Sequence, residues 1–308
     1  MLEFPDWLRL PLAGPVDQAM AWILTNLSGL FDWIGAVGLR ILISVEQALV
    51  GVPWFVLVIV VGLVAWRAIG KWTSGLGMAV LLILVGTFGY WAEAMTTLSV
   101  VIVAVAIAVA VGIPIGILMA WSDSVKRVLR PILDGMQTMP SFVYLIPALM
   151  LFGLGRVPAT FATLIYAIPP VIRLTDVGIR EVPSATIEAA RAFGANRWDL
   201  LRDVQLPLAR PAILVGINQT TMMALAMVVI GSMIGNRGLG MEVLLAINRV
   251  DIGKGFEAGL AIVFLAIVID RISNGFARRR TVPVVSAAAP TETEDDAEDI
   301  PGEPEHVA

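Results

Sequence analysis

The chain has no cysteine and a single histidine among its 308 residues. Without cysteine, neither a disulfide framework nor a thiolate metal site can form. The one histidine, His306, stands in an acidic stretch near the C-terminal end, so a histidine dyad or a histidine-based metal cluster is excluded for one chain acting alone. Charge is scarce too: Asp, Glu, Lys and Arg make up 15% of the residues, against about 25% in a soluble domain. A chain that hydrolysed nucleotide would need a phosphate-cradling G-x-x-x-x-G-K-[ST] loop. The nearest approach, at 65–72, lacks the first glycine and the hydroxyl that would hold Mg²⁺. A secretory leader is not expected either, because Glu3 and Asp6 stand where a basic segment belongs and Pro5 and Pro11 interrupt any apolar core. Enzymatic, metal-binding and nucleic-acid-binding readings have nothing to rest on, and neither a cofactor nor a nucleic-acid partner is expected.

What the chain has instead is apolar length. Hydrophobic residues make up 58%, the mean hydropathy is +0.85, and the excess is gathered in runs such as 99–121 and 258–269. A helix needs about 20 residues to cross about 30 Å of hydrocarbon. That ruler predicts an all-α membrane protein with about seven spans, near 53–69, 76–92, 97–121, 138–155, 158–175, 212–234 and 256–274. Pro140 and Pro147 interrupt the fourth, a break tolerated where neighbouring helices or a cavity satisfy the freed backbone groups. Residues 16–50 are apolar but patterned differently. Asp17, Thr25, Ser28, Asp32, Arg40 and Ser44 fall on one side of a helix, and Trp22, Leu27, Leu30, Ile34, Ile41 and Val45 on the other. This predicts an amphipathic helix lying along the membrane interface. A span at 23–50 would instead carry Asp32, Arg40 and Glu46 into the bilayer, at high cost.

Basic residues orient the spans. With the C-terminus in the cytoplasm, 15 Lys and Arg lie inside and six lie outside (Arg9, Arg40, Arg156, Arg237, Arg249 and Lys254). The N-terminus is therefore expected outside. Eight of the 25 acids crowd into 292–305, and the other 17 face 21 bases, so the membrane body is mildly basic although the formal net charge is −4. The stretch 276–308 cannot bury enough apolar area to offset its ordering entropy and is expected to be a disordered acidic cytoplasmic tail. The organisation that follows is an external or interfacial region at 1–52, two accessory spans at 53–92, a core at 93–275 and the tail.

Between the fifth and sixth spans lie residues 176–211, a long connection to leave without structure of its own. The run Ile187-Glu-Ala-Ala-Arg-Ala-Phe193 favours helix. Gly194 can supply the positive φ that ends it, and Asn196 is placed to cap a second helix through Trp198, Leu201 and Val204. Pro207 and Pro211 are expected to re-aim the chain into the next span. The predicted product is a helix–turn–helix parallel to the membrane, with exposed apolar residues and alternating charges. That is the character of a docking surface for a cytoplasmic partner. Because this chain has no phosphate loop, nucleotide hydrolysis is assigned to that partner.

Here the sequence resembles a known family. Glu188-Ala189-Ala190, then Gly194, then Leu206-Pro207 and Pro211 are similar to the EAA motif of binding-protein-dependent ABC importer permeases. The residues 133–140 (Leu-Asp-Gly-Met-Gln-Thr-Met-Pro), 168–175 (Ile-Pro-Pro-Val-Ile-Arg-Leu-Thr), 216–220 (Gly-Ile-Asn-Gln-Thr) and 238–240 (Gly-Leu-Gly) resemble the glycine betaine/proline branch of that family, in order and spacing. Asn236-Arg237 before Gly238 departs from the branch, which usually has small residues there. The resemblance implies a type I ABC importer transmembrane domain over 93–275. It also implies a coupling helix in 176–211 seated in a cleft of an ABC ATPase subunit, which would bind the ATP and Mg²⁺. A permease homodimer in a bacterial inner membrane and a separate extracytoplasmic solute-binding protein complete the implied system.

Polar groups at membrane depth, Gln137 and Thr138 with Asn218, Gln219 and Thr220, are candidates for the translocation path. Interhelical hydrogen bonds of about 0.6 kcal/mol each are the competing reading of the same residues. A secondary transporter driven by an ion gradient is the alternative mechanism. Such proteins often carry carboxylates near mid-membrane, whereas Glu93 and Asp270 lie at span boundaries here.

Overall fold

A computed structural model describes residues 13–278. These form α1 (Ala13–Gly51), α2 (Trp54–Ile69), α3 (Trp72–Thr87), α4 (Trp91–Trp121), α5 (Asp123–Thr138), a 3₁₀ turn (Ser141–Tyr144), α6 (Leu145–Phe152), α7 (Arg156–Ala167) and α8 (Pro169–Arg180). There follow α9 (Ser184–Ala192), α10 (Arg197–Asp199), a π turn (Leu200–Gln205), α11 (Leu206–Ser232), α12 (Leu239–Arg249) and α13 (Ile252–Arg278). The first three positions of the expected tail continue α13, and the rest of it lies outside the described residues.

Five of the helical stretches are long and apolar enough to cross a membrane: α1, α4, α7 with α8, the run Arg197–Ser232, and α13. The bent pair Asp123–Thr138 and Ser141–Phe152 makes a sixth if taken as one span. The two accessory helices are shorter than expected. Each has 16 residues, or about 24 Å, a few ångströms less than the hydrocarbon layer. Trp54 and Trp91 at one end of this hairpin, and Trp66 and Trp72 at the other, are the residues that settle at headgroup depth. The second accessory helix also begins and ends earlier than the expected 76–92.

α8 is the centre of the bundle, packed between α4 and α11. Small residues permit this. Gly112 and Gly116 of α4 meet Val171, Ile172 and Thr175, while Gly178 and Gly216 bring α8 against α11. A second cluster (Leu57, Leu82, Val85, Met95, Leu225 and Leu265, among others) binds the accessory hairpin to α4, α11 and α13.

The fourth expected span differs most. The chain turns by 110° after Thr138, because a proline pushes its predecessor out of the helical region. Met139 is extended, with φ −68° and ψ 138°. What runs upward after the turn is the short limb Ser141–Phe152. α5 before it is amphipathic and lies across the bundle, with Leu129, Leu133 and Met136 against Met119 and Ile172. α12, between the sixth and seventh expected spans, was not foreseen at all.

The predicted N-terminal helix is present as one piece of 39 residues. Its packed face overlaps the predicted apolar one only in part. Phe31, Gly35, Gly38, Leu42, Val45 and Glu46 touch the bundle or lie closest to it, while Trp22, Leu30 and Ile41 are exposed. Glu46 fixes the contact: it takes the Arg156 guanidinium and accepts from Thr96 Oγ1 at 2.7 Å. A double-mutant cycle over Glu46 and Arg156 is expected to return about 1 kcal/mol of coupling in denaturant unfolding, since both groups keep some water contact. Additive single mutants would remove the ion pair from the account of how α1 is held.

Candidate functional site

The expected coupling residues form one arm on the outside of the bundle. α9 has no buried residue, and Glu188 and Ala189 are fully on its open side. The helix ends as Gly194 allows, at φ +88°. The Gly194 N–H donates to the Arg191 carbonyl at 2.9 Å, and the Ala195 N–H to the Ala190 carbonyl at 3.1 Å. These two bonds are a Schellman C-cap. Asn196 then starts the next helix with a full capping box. Its Oδ1 accepts from the Trp198 and Asp199 N–H groups, and Asp199 Oδ2 accepts from the Asn196 N–H.

On either side of the two caps the arm presents Phe193, 94% exposed, and Trp198, 68% exposed. Side chains of this size are rarely left so bare unless something covers them. The arm is nevertheless firmly rooted. Leu201 is buried with Ile179, Ala209 and Ile213, and the Trp198 ring stands edge-on to Trp121 with centroids 5.6 Å apart.

One expectation about this arm is corrected. Pro207 and Pro211 do not re-aim the chain. The second helix passes through both and continues as the span, so that Arg197–Ser232 is a single helix of 36 residues. A proline interior to a helix lacks its N–H and crowds the carbonyl four residues back. The π turn Leu200–Gln205 widens the helix immediately before Leu206-Pro207, and that extra room admits the ring.

An ion network unforeseen from sequence supports the root. Asp176 is 3% exposed and takes Lys126 Nζ and Arg180 Nε, each at 2.7 Å. Arg180 also donates Nη1 to Asp123 and Nη2 to the Met119 carbonyl, again at 2.7 Å. The end of α4, the start of α5 and the end of α8 are thus tied at one point, four residues before α9 begins. The i, i+4 spacing of Asp176 and Arg180 was the only local signal.

The candidate path residues are not brought together. Three consecutive residues on a helix point about 100° apart. Gln219 is exposed and Thr220 fully buried, and the Thr220 hydroxyl has no hydrogen-bond partner. Asn218 faces α13, where its Nδ2 donates to Asp270 Oδ1 at 2.9 Å, an oxygen that also accepts from Asn274 at 2.7 Å. Gln137 and Thr138 lie at the 110° turn and are exposed. Gln137, Thr138 and Gln219 are thus exposed on the single chain, whereas Asn218 is tied to α13 and Thr220 is buried in the bundle.

At the opposite end of the bundle the Leu239 N–H donates to Thr97 Oγ1 at 2.9 Å, which seats α12 on α4. Burial, and after it the carboxylates of Glu242, Glu257, Asp251 and Glu93, push the Tyr90 phenol above its ordinary value. Of the unusual pair beside Gly238, Asn236 is buried and Arg237 is exposed.

Comparison with known proteins agrees with this architecture. Residues 112–282 match the family described as binding-protein-dependent transport system inner membrane component. The glycine betaine/proline betaine permease ProW of Escherichia coli is 45% identical over 271 residues, covering 87% of this chain and 76% of that protein. The glycine betaine permease OpuAB of Bacillus subtilis is 44% identical over 86% of this chain and 94% of its own length. In fold, the chain is similar to a chain in an inward-facing structure of the MetNI methionine ABC transporter. That match has a TM-score of 0.56 at 21% identity, covering 60% of this chain and 93% of the other. An all-helical bundle with an exposed arm, and relatives of this similarity over most of its length, make the chain a member of the binding-protein-dependent transport system inner membrane component family.

Proposed function

We propose that this protein is the permease subunit of an ATP-driven importer for glycine betaine, proline betaine and similar osmoprotectants. The observation that carries the mechanism is the arm. α9 has no buried residue, is closed by tight caps at its turn, is followed by a helix rooted in the bundle, and ends at Phe193 with Trp198 beyond the turn. It is built to be covered by a partner. An ABC ATPase subunit on the cytoplasmic side, holding ATP and Mg²⁺, is the partner that this family membership favours, and the chain itself is non-catalytic. The substrate class follows the names of its most similar relatives.

The excess of basic residues beside the arm puts it in the cytoplasm with the C-terminus, and the N-terminus outside. α1 is read as lying along the outer interface, a placement supported by the tie of Glu46 to Arg156 and Thr96 at the end of the bundle away from the arm. Two copies enclose the path, and a separate solute-binding protein delivers substrate to the outer face. A solute with balanced charge suits exposed path residues (Gln137, Thr138 and Gln219) that are neutral amides and a hydroxyl.

Replacing Gly194 by Val forbids the φ of the C-cap, and Glu188→Ala removes a charge from the open face of α9. Both positions are exposed, so membrane insertion and yield are expected to stay near wild type. ATP-dependent uptake in proteoliposomes containing the ATPase and binding protein is expected to fall at least about tenfold, a loss of about 1.4 kcal/mol in coupling. Undiminished uptake by both variants would remove the arm from the mechanism. Uptake by the purified chain under an ion gradient, with no ATPase present, would replace it with the secondary-transport mechanism.

A further inference from the structure

The turn that joins the accessory helices, Gly70-Lys71, lies against the last turns of α13, where a Cβ on Gly275 would touch the Ala68 backbone at 2.9 Å. A cavity of about 420 Å³ opens between them, with Lys71, Ser74, Arg271 and Asn274 on its walls. That volume falls within the ~300–1,000 Å³ of ordinary small-molecule sites. Among the described residues, neither Lys71 nor Arg271 has a carboxylate within ion-pair distance. The acid next in sequence, Asp270, does not line the cavity, and its Oδ1 is engaged by Asn218 and Asn274. Two cations therefore face one half-open space, and no carboxylate among the described residues offsets them.

The surroundings specify what fills it. Lys71 is also the cap position of α3, which starts there without a side-chain cap, so the positive end of that helix adds to the field. Trp66 and Trp72 flank the turn and are 50% and 67% exposed, which sets the cavity at headgroup depth. An anion that reaches this depth beside two apolar helices brings its own hydrocarbon.

We propose that the cavity binds the phosphodiester headgroup of an anionic phospholipid. Lys71 Nζ and the Arg271 guanidinium meet the phosphate oxygens, and the Ser74 hydroxyl and the second Nδ2–H of Asn274 donate to the same group. A zwitterionic lipid is disfavoured because its ammonium would enter beside two like charges. The site is independent of the transport mechanism and needs only that α2 and α3 lie in the bilayer. It also joins the accessory hairpin to α13, so that lipid bridges a contact which the described residues leave unbalanced.

The test reconstitutes the full-length protein in vesicles of equal phosphatidylglycerol and phosphatidylcholine, extracts it gently and counts retained lipid by native mass spectrometry. Wild type is expected to retain phosphatidylglycerol over phosphatidylcholine. Each of Lys71→Gln and Arg271→Gln should cut that preference about fivefold, the equivalent of ~1 kcal/mol per basic residue at a membrane surface. Lys71→Arg should keep it. Lys71 is exposed, so its variants should retain the wild-type thermal midpoint and report on the site even if Arg271→Gln is poorly folded. Equal retention of the two lipids by wild type would overturn the proposal. Displacement of phosphatidylglycerol by millimolar inorganic phosphate would overturn it as well, because the site would then belong to a free anion.

Discussion

Replacing Asp176 by Ala is expected to be among the most damaging single changes in the protein. The carboxylate is 3% exposed, and its removal leaves Lys126 and Arg180 facing each other without it. Breaking a buried pair by deleting one partner costs about 3–5 kcal/mol. The lower end applies here, since the two cations retain side-chain exposures of 28% and 31%. A loss of about 3 kcal/mol should appear as a drop of several degrees in the unfolding midpoint of the purified protein. Uptake should fall further than stability does, because the network fixes the end of α8 four residues before α9 begins. Lys126→Met combined with Asp176→Leu, which removes charge of both signs, should recover part of the stability without recovering uptake. A variant as stable and as active as wild type would show that the arm has no need of this anchor.

Gly116→Val should be nearly as severe, for a steric reason. A Cβ at this position would lie 2.5 Å from Thr175 Cβ and 2.7 Å from the Ile172 carbonyl oxygen. The second atom is backbone and cannot rotate away. α8 must retreat from α4, yet its other side is already closed against α11, where a Cβ on Gly178 would come within 2.7 Å of Ala212. Overpacking of this kind costs about 1–3 kcal/mol, and the branched side chain places Val at the upper end. Gly116→Ala should cost less but still lower the midpoint. The readout is the thermal midpoint, together with the fraction of protein extracted from the membrane as a monodisperse species. A midpoint for Gly116→Val within a degree of wild type would mean that the α4–α8 contact is looser than the structure shows.

Both predictions concern contacts between residues far apart in sequence, which marks where sequence reading stopped. Short-range chemistry was legible. The φ of Gly194, the cap at Asn196 and the extended residue before Pro140 each follow from one or two neighbours. Long apolar runs marked α4, α11 and α13 for the same reason. The face by which α1 attaches was not legible, because lipid accepts an apolar side chain as readily as protein does. Leu30 and Ile41 have the hydrophobicity of core residues but remain exposed, while charged Glu46 lies in the contact. In water the solvent separates these two kinds of surface, and in a bilayer it does not.

The prolines show a second limit. Pro140 breaks its helix and Pro207 does not. A π turn precedes Pro207, but Pro114 and Pro131 stay inside α4 and α5 without one, so no local residue pattern tells a breaking proline from a tolerated one. Within the candidate site, the members of the arm could be named from sequence because they are contiguous. The path residues could not be sorted in the same way. Asn218 acquires Asp270 as its partner across 52 positions, and once α13 stands beside α11, consecutive residues of one helix belong to different surroundings.

The unbroken helix Arg197–Ser232 has a mechanical meaning. At 1.5 Å per residue its 36 residues make a rod of about 54 Å. A hinge at the two prolines would have absorbed any displacement of Trp198 locally. A rod delivers it: a tilt of about 5° at the near end moves the far end by about 5 Å, the rise of one helical turn. The leverage is set by the backbone itself, and the widened turn beside Leu206 is where the rod is least stiff. Force applied to the arm by a partner is thus expected to reach the far end of this helix as a change of angle.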